Sequence, residues 1–145
     1  MWSMRIIIFS VMLVLAARVS GYCGAADCAF GQLKSELKSQ GVSDQFIKIT
    51  ENSVKRMIAS EAKISDVKTV LLDLWNQGVK SRALTSAVTA VAELVASGDD
   101  TLEAANIASG AAHKAQAEGL SGYGVGLRVK KAVRDRKVYL KSLNK

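Results

Sequence analysis

Proline is missing from this chain altogether, histidine occurs once, cysteine twice, and aromatic residues fill only 6% of the positions. Each shortage closes off something. Without proline, no residue fixes φ or removes a backbone donor, so helices are interrupted only by glycine and by capping side chains. Two cysteines, both within the first 28 residues, exclude a disulfide-dense scaffold. A lone histidine, His113, cannot build a metal site, and neither HExxH nor CxxC spacing occurs. The same scarcity limits nucleophilic catalysis, because one histidine allows one conceivable triad and no GxSxG elbow accompanies it. No cofactor or metal is expected, and an enzyme of unknown type ranks last among the functional readings.

What is present favours helix. The 145 residues are 49% hydrophobic, with alanine frequent, and alanine loses no side-chain entropy in a helix. The length suits a single domain. The N-terminus stands apart from it. Arg5 precedes Ile6–Ala17, 12 uncharged and mostly apolar residues, and Arg18 ends the run. At about 1.5 Å per residue such a helix reaches roughly 18 Å, short of a bilayer core of about 30 Å. A positive start, a short apolar run and small residues afterwards describe a secretory signal peptide over residues 1–21, with cleavage as late as residue 26. The alternative is an uncleaved membrane anchor. VSGYC at 19–23 resembles a lipobox, but Tyr22 between Gly21 and Cys23 departs from it and argues against a lipid on Cys23. The expected location is therefore the periplasm or another extracellular space. There Cys23 and Cys28 are candidates for a disulfide, provided that cleavage spares Cys23.

The rest, 27–145, reads as one all-α domain of five or six helices, arranged as a small bundle or a short helical stack. Asp27 is the expected cap of a first helix reaching Gln40, with Phe30, Leu33 and Leu37 on one face. Ser43, Ser65 and Ser81 open the next three. Asp100 and Glu103 fit a capping box for the fifth. Apolar residues recur at helical spacing in each, as in Val67, Val70, Leu71, Leu74 and Trp75. Trp75 on that stripe reads as a core residue. Glycines at 41, 78, 98 and 119 mark helix ends, separated by 37, 20 and 21 residues, which hints at a unit of about 20 residues stacked on its neighbours. The fifth helix is largely alanine, suited to close helix approach. Adjacent Asp99 and Asp100 are explained by capping and the helix dipole.

The charge is localised. Residues 125–145 hold eight Lys or Arg and one acid, a net +7, whereas 22–124 hold ten basic and twelve acidic residues, a net −2. On a helical wheel Lys130, Arg134, Lys137, Lys141 and Lys145 fall in one sector of about 80°, and Val125, Val129, Val133, Leu140 and Leu143 in another. The region from 125 to 145 is thus expected to be a basic amphipathic terminal helix. In front of it lie Gly119, Gly122, Gly124 and Gly126. Their GxxGxGxG spacing misses both the dinucleotide and the P-loop patterns, and a helix precedes them. They are candidates for a hinge, with Leu120 and Tyr123 packing back on the bundle.

These features support a small non-catalytic exported protein. Its basic helix would contact an acidic protein, an anionic polymer or an anionic lipid surface. A purely structural helical module of the envelope is the alternative. Nucleic acid is disfavoured by export and by the lack of aromatic residues interleaved with the cations. The sequence does not set an oligomeric state.

Overall fold

Five of the described residues have positive φ: Gly41, Glu61, Gly78, Gly98 and Gly119. Each reverses the backbone after a helix. The computed structural model describes residues 24–79 and 81–145. Over those residues it contains six helices and no strand: α1 Ala25–Ser39, α2 Asp44–Ala59, α3 Ile64–Asn76, α4 Ser81–Ala96, α5 Thr101–Ala117 and α6 Gly122–Leu143. Residues 1–21, expected to be a signal peptide, and Cys23 lie outside the described residues.

Glu61 fills the gap in the glycine series. Between Gly41 and Gly78 the sequence offers no glycine at a helix end, yet Glu61 takes φ 66° and divides the 37-residue interval. The reversals then fall every 17 to 21 residues, so all five connections share one design. Four use the residue that enters this region without a Cβ clash, and the fifth accepts a strain of roughly 1–2 kcal/mol.

Before α6, helix starts depart from expectation in three places. α1 begins at Ala25 behind Gly24, so Asp27 sits in the first turn and binds Lys55 at 2.9 Å instead of capping. α3 begins at Ile64 behind Lys63, with Ser65 inside its first turn. The Asp100–Glu103 box is half formed. Asp100 accepts from the amides of Leu102 and Glu103, but its own amide donates to Asp99 at 3.0 Å and leaves Glu103 no partner there. Ser43 caps α2 as expected, accepting from the Phe46 amide.

α4 is the central element. Ala83, Leu84, Ala87, Val88, Ala90, Val91, Ala92, Leu94 and Val95 are all buried, because α2, α5 and α6 each pack against it. A helix buried on most sides must be apolar on most sides. α5 presents Ala104, Ala108, Ala112 and Ala115 as a small-residue ridge, which lets α4 and α6 approach closely. α4, α5 and α6 thus form one mutually packed trio. α2 joins it through α4 and α3 through α5, while α1 covers α2 and α3. Trp75 is half-buried and meets the Phe46 ring edge-on at 5.3 Å between centroids.

Candidate interaction surface

α6 is held from within by valine. Val125, Val129 and Val133 are buried against α4 and α5. Their spacing of four drifts slowly around the helix, so one stripe stays in register with two neighbours over three turns. The helix begins at Gly122, three residues before the expected start at Val125, with Ser121 as its cap. The candidate hinge is therefore divided. Gly119, at φ 75°, reverses the chain after α5, whereas Gly122, Gly124 and Gly126 lie inside α6. Two of these serve close packing: a Cβ on Gly122 would stand 3.0 Å from Arg82 Cδ, and one on Gly124 3.1 Å from Leu120 Cβ. Leu120 does fold over the helix start. Tyr123 does not, and stands 76% exposed.

α6 outlasts its supports. It has 22 residues against 16 in α4 and 17 in α5, an excess of roughly 8–9 Å at about 1.5 Å per residue. The last turns consequently run past α4 and α5. Leu140 is only half-buried there, and Val138, Tyr139 and Leu143 are exposed. The expected apolar stripe splits for this reason: its valines are core and its distal leucines are not.

The eight cations of 125–145 divide as well. Arg136 reaches Asp99 with two hydrogen bonds, Nε to Oδ2 and Nη2 to Oδ1, each 2.8 Å. The Asp99 side chain is only 2% exposed, and this bidentate contact ties α6 to the turn between α4 and α5. The hydrogen bond from Arg136 to Asp99 raises the guanidinium's pKa further above its ordinary value. Arg136 also lies over the Tyr139 ring at 5.1 Å. Lys137 binds Glu93 of α4. Arg128 pairs with Glu118 and Lys131 with Asp135, both at 2.9 Å. Four cations remain with no acidic partner among the described residues: Lys130, Arg134, Lys141 and Lys145. All four are exposed. The expected stripe therefore loses one member, Lys137, to the bundle. Arg136 lies on the inner side of the wheel, and its role as a latch was invisible without knowing that Asp99 lies opposite.

Other features are modest. An open cleft of about 710 Å³ lies where α4 begins, α5 ends and α6 begins, with Arg82, Gln116 and Ser121 on its walls. A smaller groove of about 190 Å³ runs between α4 and α6 past Thr89, Glu93 and Lys130. His113 is exposed, its Nε2 2.5 Å from Gln77 Oε1. Among the described residues no three of His, Cys, Asp or Glu gather as a metal set. Cys28, in the first turn of α1, is disulfide-bonded. No described helix is long and apolar enough to cross a membrane. Comparison with known proteins yields no match to a family model, a curated protein or a solved structure.

Proposed function

We propose that this is a small exported, non-catalytic protein that binds an anionic partner through the outward face of α6. One observation carries the reading: Lys130, Arg134, Lys141 and Lys145 are exposed on one side of a docked helix and have no acidic partner among the described residues. Cations not needed by the fold, held by a rigid support, raise the local concentration of an anionic ligand with little ordering cost.

The test uses charge removal and not truncation, because ending the chain at Gly119 would also remove three buried valines. Wild type and a Lys130→Gln/Arg134→Gln/Lys141→Gln/Lys145→Gln variant are compared for retention on immobilised polyphosphate at low and moderate salt. Retention of the wild type, weakening with salt and lost in the variant, is expected. Equal retention of both would refute the reading.

Export rests on the N-terminal pattern, and cleavage after Gly21 suits α1 better than cleavage after Ala26. The later cut would remove Gly24 and Ala25, and Cys23 with them. The intact mass of the secreted protein distinguishes the two. The second reading, a structural module with no binding of its own, is favoured by the burial of Val125, Val129 and Val133. It predicts that the four glutamine changes leave retention untouched.

A further inference from the structure

Resting on the reading of α6 as a contact surface, we propose that its partner is an anionic lipid surface, which takes up Tyr123, Leu127 and Val138 between the phosphate-paired cations. Residues 123, 127, 130, 134, 138, 141 and 145 follow one another at steps of four or three, so they form a single row along the outside of α6. The row reads Tyr, Leu, Lys, Arg, Val, Lys, Lys. Its apolar members are among the most exposed large hydrophobic side chains of the described residues: Tyr123 76%, Val138 65%, Leu127 50%. No acid interrupts it, since Asp135 lies off the row and binds Lys131.

This alternation discriminates between anionic partners. A soluble polyanion can pair with the lysines, but it leaves the tyrosine, leucine and valine in water. A headgroup layer does both, accepting apolar side chains at the acyl boundary while Lys and Arg extend to the phosphates. The shape agrees. At about 1.5 Å per residue the helix offers roughly 33 Å of outward-facing edge. Its last turns overrun α4 and α5, so the bundle does not hold Val138 or Lys141 back from a plane.

Four cations near an anionic surface, at about 1 kcal/mol each, account for roughly a 10³-fold gain in partitioning. Submerging Leu127 and Val138 adds at least about tenfold. The test measures sedimentation with vesicles of phosphatidylcholine alone and with 30 mol% phosphatidylglycerol, alongside binding to soluble polyphosphate. Neutral vesicles set the baseline for binding that does not depend on lipid charge. The decisive variant is Leu127→Ser/Val138→Ser, whose charge is unchanged and whose altered side chains are exposed, so its melting temperature checks that the fold persists. It should bind anionic vesicles at least about tenfold more weakly and polyphosphate as the wild type does. If it binds anionic vesicles like the wild type, or if the wild type binds polyphosphate but not vesicles, the lipid proposal falls and the anionic contact surface stands. If the wild type binds neither, both fall.

Discussion

The inner and outer faces of α6 are built from the same basic, valine-rich segment and do opposite work. On the inner face Val125, Val129 and Val133 are buried, and even a charged residue, Arg136, is committed to Asp99. On the outer face Lys130, Arg134, Lys141 and Lys145 have no acidic partner among the described residues, and Tyr123, Leu127 and Val138 are exposed among them. A terminal basic helix is thus neither a loose arm nor merely a core element. Docking by one side fixes the direction in which the other side points, and it places the unpaired charge along one line. The cations bound to the bundle across α6, Arg136 and Lys137, are those whose position on the wheel brings them within reach of Asp99 and Glu93, while Arg128 and Lys131 pair with Glu118 and Asp135, so the number of lysines matters less than their phase.

Substitutions that respect or violate this division should separate the faces. The largest effect is expected from Val129→Asp, which places an unpaired carboxylate among α4, α5 and α6. Cooperative thermal unfolding, followed by circular dichroism, should vanish at 25 °C or move down by tens of degrees. Arg136→Met comes next. It keeps a long apolar stem but leaves the buried Asp99 carboxylate without its bidentate partner, and the melting temperature should fall by several degrees. A fall no greater than that of Arg134→Met, on the outer face, would erase the distinction between the two arginines. Glu61→Gly, away from α6, sets a scale in the opposite direction. Relief of the left-handed strain should raise stability by up to about 1 kcal/mol, read as a higher urea midpoint. Smallest of all, the four outer glutamine changes should leave the melting temperature within about 2 °C of the wild type, because exposed unpaired charges contribute little to folding. A large loss there would show that the outer face belongs to the fold after all.

Much of the fold was legible because it depends on local chemistry. Helix ends at Gly41, Gly78, Gly98 and Gly119 follow from a conformation that glycine alone adopts without a Cβ clash, and apolar spacing identified buried faces such as Phe30, Leu33 and Leu37 of α1 and Val67, Val70, Leu71 and Leu74 of α3. Glu61 was missed for the complementary reason: nothing in a glutamate announces a left-handed backbone, and only the packing of α2 and α3 imposes it. The half-formed capping box failed because Asp99 competes for the Asp100 amide, and Asp99 is placed there by Arg136, 37 residues away. The glycine cluster was misleading in one respect. Gly122 and Gly124 look like freedom in a sequence, whereas in the folded protein their missing Cβ atoms make room for Arg82 and Leu120.

By itself the amino-acid sequence determined that the chain is helical, roughly where its helices stop, and that its positive charge is concentrated in the last helix. These follow from propensity, capping and composition, which act within a few residues. Only the tertiary structure decided which cations are left over. Apart from the local Lys131–Asp135 pair, pairing requires an acid from outside α6 at bonding distance, and that depends on how α6 lies against α4 and on the turns that carry Asp99 and Glu118. The tertiary structure also decided that the last turns stand clear of the bundle: Leu143, on the inner sector of the wheel, is exposed because α6 is longer than α4 and α5.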